Sequence, residues 1–138
     1  MGPPMELKEQ GKGWCLALRD ASVHLIQIDF RLSLFLLDPP NEATVIIETP
    51  CRLKTRDTSV VLRPGEPSTL APILPFFNTT VTGVSIRRMG ALRMEFSGGP
   101  TLEVDPDSRY EAWQLATEPE WATMPPSQRC PLTQFPTE

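Results

Sequence analysis

Proline is the residue that most constrains this chain, because 16 of its 138 residues are proline. A proline inside an α-helix removes a backbone hydrogen bond, and its ring clashes with the preceding turn. This density therefore disfavours a bundle of long helices. A length of 138 residues suits a single domain, and 40% hydrophobic residues is an ordinary content for a soluble one. We predict one β-rich domain punctuated by prolines.

Alternation of apolar and polar residues predicts strands along most of the chain. The clearest case is Leu92, Met94 and Phe96, which alternate with Arg93 and Glu95. The predicted strands cover residues 23–30, 32–37, 44–48, 52–54, 59–62, 81–86, 92–97, 101–105 and 111–115. The first two are apolar on both faces, which predicts central strands that are covered on both sides.

The break at residues 64–67 separates two groups of strands. After it, Ser68 is predicted to cap a short helix that runs through Phe77, since apolar residues there have helical spacing. Pro72 and Pro75 limit that helix to about two turns and favour 3₁₀ geometry in its second half.

Apolar positions recur between the two groups of strands. Val23, Ile26, Ile28, Leu34 and Leu36 recur 58 residues later as Val81, Val84, Ile86, Leu92 and Met94. After a slip of one residue, Val45, Ile47 and Leu53 correspond to Leu102, Val104 and Tyr110. Either a duplication or the general likeness of any two β-meanders accounts for this recurrence. The predicted fold class is α+β, mostly β, with two antiparallel β-meanders joined by one short helix.

Composition divides the chain into three parts. Residues 1–13 are polar and predict a flexible N-terminal lead, and residues 14–117 form the predicted β-rich domain. Residues 118–138 contain five prolines and predict a proline-rich tail. Neither a signal peptide nor an apolar run long enough to span a bilayer is visible, so we expect a cytoplasmic protein.

Residues suited to catalysis are few. His24 is the only histidine, and it lies inside a predicted strand, where a structural role is expected. The three cysteines are far apart in sequence, which predicts neither a disulfide framework nor a zinc site. Asp105 and Asp107 are too few for a calcium site. We therefore expect no catalytic residue, no cofactor and no metal, and no enzymatic activity.

Charge is distributed unevenly along the chain. Between Glu103 and Glu120 there are six acidic residues and one basic residue, while the whole chain has a net charge of −4. Basic residues cluster instead at 52–63 and 87–93. Two interpretations stay open, namely solvated faces that maintain solubility and an acidic face that steers a basic partner. Tyr110 and Trp113 would anchor such an interface, although Trp113 equally suits the core. The predicted partner-binding residues are Glu103, Asp105, Asp107, Arg109, Tyr110, Glu111 and Trp113.

The pattern of several segments resembles a small β-rich bacterial family of unknown function that is common in actinobacteria. The resemblance spans residues 14–115, and its most specific piece is Tyr110-Glu111-Ala112-Trp113. It also includes Ile26-x-Ile28-Asp29-Phe30 and Leu102-Glu103-Val104. That family usually continues with a Pro-Gly-Gly segment and a terminal tryptophan, whereas this chain has Trp121 and prolines. Some members are similar to immunity proteins, which bind and block a cognate toxin.

Three functions follow as expectations. The first is a non-catalytic protein-binding module, in particular an immunity or inhibitor protein whose acidic face binds a basic toxin domain. The alternatives are a self-associating structural or assembly protein, in which a homodimer is possible, and a small-ligand sensor. The acidic balance argues against a nucleic-acid partner, and no membrane partner is expected.

Overall fold

The computed structural model describes residues 7–10, 13–16, 18, 21–39, 41–107 and 112–118. These residues contain eleven strands. The strands are β1 (Leu7–Gln10), β2 (Gly13–Leu16), β3 (Ala21–Ile28), β4 (Leu32–Asp38), β5 (Asn41–Ile47), β6 (Cys51–Lys54), β7 (Ser59–Leu62), β8 (Thr80–Arg87), β9 (Leu92–Phe96), β10 (Thr101–Val104) and β11 (Trp113–Glu118). The mostly β class predicted from sequence is confirmed.

All strands belong to one antiparallel sheet with the order β11-β5-β4-β3-β8-β9-β10-β6-β7. Off this path, β2 pairs with the end of β8, and β1 pairs with β2. The N-terminal lead predicted to be flexible thus contributes a paired strand, because residues 7–10 lie in register against residues 13–16. Most of the predicted tail, from residue 119 onward, lies outside the described residues.

The strand order contains two equivalent units of four strands. In the first unit, β3, β4 and β5 are consecutive neighbours; in the second, β8, β9 and β10 are. The fourth strand of each unit comes from the other half of the chain, since β11 pairs with β5 and β6 pairs with β10. Both units have a β-bulge at the same place, between Val23 and Leu25 in β3 and between Val81 and Gly83 in β8.

The pairing corrects part of the repeat read from sequence. Residues that pair alike in the two units are Leu32 with Leu92, Leu34 with Met94, Leu36 with Phe96, Val45 with Leu102, Ile47 with Val104, and Leu53 with Leu115. On β4 and β9 the spacing is therefore 60 residues rather than 58, because the β8–β9 turn is two residues longer than the β3–β4 turn. Leu53 matches Leu115 in place of Tyr110. A duplication in the ancestry of the chain stays a hypothesis.

One face of the sheet forms the core. Most inward side chains of both units are at most 2% exposed, including Leu34, Val45, Met94 and Leu102, whereas Ile28 at the end of β3 is 39% exposed. Trp113 on β11 donates its indole N–H to the carbonyl of Gly90, which follows β8, so the sheet curls around its buried face. The outer face is not covered as predicted for β3, where Leu25 is 46% exposed. One-sided burial is the ordinary state of an antiparallel sheet.

The connection between the halves consists of two 3₁₀ segments, Pro67–Thr69 and Ala71–Phe76. Ser68 lies inside the first segment and is not the helix cap predicted from sequence, because neither segment has a side-chain cap. Gly65 precedes them with a φ of +93°, a conformation that glycine adopts without strain. Thr69 binds both backbone groups of Arg63 and so fixes this connection to the end of β7. No helix of the described part is long and apolar enough to cross a membrane.

Candidate protein-binding face

The outer face of the second unit displays two cross-strand rows of side chains, called here the charged rows. The strand register places Arg93, Glu103 and Arg52 side by side on β9, β10 and β6. The next row contains Glu95, Thr101 and Lys54 on the same strands. Because residues directly opposite on one face of a sheet have Cβ atoms about 5 Å apart, these charges interact across the strands.

The first unit has the same rows without a charge. Its corresponding residues, called here the neutral rows, are Ser33, Ile46 and Gln114 in one row and Phe35, Thr44 and Ala116 in the other. The backbone pairing of the two units is alike at these positions. The charges of the second unit are therefore not required by the strand architecture itself.

Glu103 lies at the centre of an ion-pair network. Its Oε1 atom is 3.2 Å from both Nη2 of Arg52 and Nζ of Lys54. Arg52 also engages Asp105 as a fork, with Nη2 to Oδ1 and Nη1 to Oδ2 both 3.2 Å. Such two-point guanidinium–carboxylate pairs add geometric specificity as well as energy. The network joins β6 to β10 at the surface.

The network shifts the titration of Glu103. Burial by itself raises the pKa of this carboxyl group, but hydrogen bonds and charges from Lys54 and Arg52 outweigh burial and lower the pKa below its ordinary value of 4.5. A lowered pKa in the folded protein means that the carboxylate stabilises the fold above the unfolded pKa. That stabilisation is lost as the pH falls through the lowered, folded value.

Replacing Glu103 with glutamine is expected to lower the free energy of unfolding by about 1 kcal/mol at pH 7, because the carboxylate loses two close cations. The difference is expected to shrink between pH 7 and pH 3, since the stabilisation by the carboxylate is lost as the pH falls towards and through its lowered pKa. Urea unfolding at both pH values measures this. Glu95→Gln is the matched control, expected to cost roughly 0.3 kcal/mol, since its nearest cation, Arg93, is 3.7 Å away. An effect of Glu103→Gln that persists undiminished at pH 3 would instead indicate lost packing.

A cleft of about 210 Å³ opens beside the charged rows, where β8 turns into β9. It is lined by Arg52, Arg87, Met89, Ala91, Leu92, Arg93, Glu103, Val104 and Asp105. Arg87 and Arg93 also line a second cleft of about 160 Å³ that reaches β2. These two arginines therefore lie between these two clefts.

The residues predicted from sequence as a partner site are only partly brought together. Glu103 and Asp105 share the charged face, and Asp107 follows them with interactions of its own. Trp113 is fully buried and hydrogen-bonded, so it is a core residue and not an exposed anchor. Arg109, Tyr110 and Glu111 lie outside the described residues.

Arg52 and Lys54 were missed as site residues. In sequence they belong to a basic segment, and the acidic segment begins 51 residues after Arg52. The pairing of β6 with β10 places these basic residues beside the acidic ones, so the part of the predicted acidic face around Glu103 and Asp105 is a face of alternating charge. The sequence contained one indication of this pairing, namely two short predicted strands of opposite charge. One has basic residues at 52 and 54, and the other has acidic residues at 103 and 105.

The residues capable of acid–base or nucleophilic chemistry lie apart. Nε2 of His24 is 3.9 Å from Glu42, and its ring contacts Phe35 edge-on. Cys51 is buried in the core, and burial raises the pKa of its thiol to about 12, so the thiol stays protonated. Within the described ranges, no group of three potential metal ligands occurs.

Comparison with known proteins identifies a family but no individual relative. The model of a family of unknown function (DUF6188) matches residues 14–125. No curated protein matches the chain, and no solved structure matches it either. The matched range contains β3 to β11 and all but the first residue of β2, and with them both equivalent units.

Proposed function

Since the chain belongs to DUF6188, a family of unknown function, we propose its role from the geometry: a non-catalytic protein-binding module. The proposed contact surface comprises the charged rows, the adjoining cleft, and Asp105 with Asp107. The observation behind this proposal is the contrast between the two units. One scaffold appears twice in the chain, and at the positions of these two rows only the second copy has charged side chains.

The composition of the face supports contact with a protein. Arginine and methionine are enriched in protein interfaces, and Arg52, Arg87, Arg93 and Met89 all line the cleft. Met89 is 64% exposed, so its side chain is accessible to a partner. A blocking protein needs complementary shape and charge and no reactive group.

The alternating charge of this face indicates which charges the partner surface carries. Glu103 and Asp105 are balanced by Arg52 and Lys54, so a uniformly basic surface does not complement this face. The partner we propose displays both acidic and basic side chains. On the resemblance to immunity proteins, we further propose that the partner is a toxin domain. Binding would then inhibit that toxin in the cytoplasm.

Reversing the charge of Asp105 is expected to reduce partner capture at least about tenfold, because the partner then meets a lysine where it fits a carboxylate. Tagged wild-type protein and Asp105→Lys are used to capture proteins from lysate of the source organism, quantified by mass spectrometry. Glu48→Lys is the matched control, since Glu48 occupies the corresponding place beyond β5 in the first unit. The control is expected to retain the partner.

Two further results decide the proposal. Equal loss of the partner with Asp105→Lys and Glu48→Lys would contradict the assignment of the charged face, and recovery of the bait alone would contradict the binding function. For the toxin extension, the captured protein is expressed in a test host. Growth is expected to be inhibited, then restored by co-expressed wild-type protein and not by Asp105→Lys.

A further inference from the structure

Two arginines on the charged face have hydrogen-bonding capacity that the described residues do not use. The Arg87 guanidinium has no ion pair or hydrogen bond with any described residue. The Arg93 guanidinium lies 3.7 Å from Glu95 and 3.9 Å from Glu103, beyond hydrogen-bonding distance, and its Nε–H is buried without a partner. The Arg93 side chain as a whole is 42% exposed, so its other N–H groups can reach an incoming acceptor.

The strand register makes these arginines neighbours. Arg93 lies opposite Ser85, and Arg87 is two residues further along β8, so the two are diagonal neighbours on one face. Diagonal positions on adjacent strands are about 7–8 Å apart, within reach of long side chains. Both line the same two clefts. Their planar N–H groups can therefore converge on one anion between them.

The neighbouring cations differ because each has a closer carboxylate partner. Arg52 forms the fork with Asp105, and Lys54 contacts Glu103. Arg88, next to Arg87 in sequence, pairs with Glu9 and lies 5.0 Å from the centre of the Trp14 ring. These three cations thus have close carboxylate partners, although the Nε–H of Arg52 is also buried without a hydrogen bond. The carboxylates nearest Arg93 are 3.7 and 3.9 Å away, and Arg87 has no carboxylate partner among the described residues.

We propose that Arg87 and Arg93 bind the carboxylate of an acidic side chain that the partner protein inserts into the 210 Å³ cleft. This inference rests on the proposed protein-binding function and names the group recognised. Guanidinium forks match the planar carboxylate geometry. Met89 and Ala91 supply an accessible apolar lining for the methylene stem of that side chain, which a free phosphate lacks. Met89 can adapt to the stem, since methionine is unbranched and flexible.

Glutarate is the probe that tests this site, because it combines a carboxylate with an aliphatic stem. In NMR titrations of the full chain, glutarate is expected to cause saturable shifts of the Arg87 and Arg93 Nε–H signals and of the Met89 methyl signal. Inorganic phosphate at matched ionic strength is expected to bind more weakly. Arg93→Gln is expected to weaken glutarate binding roughly tenfold, the loss of about one charge-assisted hydrogen bond.

Arg63→Gln is the control, because Arg63 is an exposed arginine outside the cleft and without an ion pair among the described residues. It is expected to leave glutarate binding unchanged. Absence of saturable shifts, or equal effects of Arg63→Gln and Arg93→Gln, would overturn the site, and phosphate binding as tight as glutarate would overturn the assignment to an acidic side chain.

Failure of this inference is distinguishable from failure of the proposed function. If Asp105→Lys abolishes partner capture while the Arg87→Gln, Arg93→Gln double variant captures normally, the binding module stands and the carboxylate site is overturned. If glutarate binds as expected but the bait is recovered alone, the anion site stands and the assignment to a protein partner is overturned.

Discussion

Trp113→Ala is expected to lower the free energy of unfolding by about 3–5 kcal/mol, the range for removing a large buried aromatic side chain. Trp113 is fully buried on β11, the first strand of the sheet order. Its indole N–H is 2.7 Å from the carbonyl oxygen of Gly90, in the turn between β8 and β9. The substitution therefore leaves a cavity and an unsatisfied buried carbonyl, and it removes a contact between the two units.

Urea unfolding followed by far-ultraviolet circular dichroism measures this loss, because the signal does not depend on the tryptophan that is removed. Trp113→Phe keeps most of the apolar volume and is expected to cost less, about 1–3 kcal/mol for the lost N–H. Trp14→Ala is the control at a partly buried tryptophan near the surface, and a smaller loss is expected there. A cost below about 1 kcal/mol for Trp113→Ala would contradict its place in the core.

The positions of the strands could be predicted from sequence because the alternation of apolar and polar residues within a strand shows which of its side chains are buried. On β9, the inward residues Leu92, Met94 and Phe96 are apolar and the outward residues Arg93 and Glu95 are charged. This alternation is local, and it needs no knowledge of the neighbouring strands. The segment 68–77 was harder to predict, because Pro72 and Pro75 and its apolar spacing favour different structures.

Pairing between distant strands could not be predicted, and the candidate site depends on it. Arg52 and Glu103 belong to segments of opposite charge that sequence alone treats as separate faces. Their contact follows from the exchange of fourth strands, which places β6 in the second unit and β11 in the first. The same exchange explains the incorrect match of Leu53 with Tyr110, since the true equivalent, Leu115, is found only from the register.

Separating the chain between Gly65 and Glu66 is expected to abolish independent folding of both parts. The fragment 1–65 keeps β6 and β7 but lacks β10, which β6 pairs with, and it lacks β11, which pairs with β5. The fragment 66–138 loses the same two pairings from the other side. In each unit, the loss of the fourth strand exposes apolar side chains that this strand covers in the full chain. Small β-sheets with open apolar faces are marginally stable in water. Each fragment alone is expected to show no cooperative unfolding transition.

Mixing the two fragments in equal amounts is expected to restore the sheet, with a midpoint that rises with concentration because folding has become association. The control is the full chain with a protease site in the exposed turn at Gly65, cut after folding, which should keep its cooperative transition. A fragment that unfolds cooperatively by itself would show that three consecutive strands suffice for a unit. In that case the exchanged strands would be additions to two independent folds, and the contact between Arg52 and Glu103 would join two domains instead of completing one.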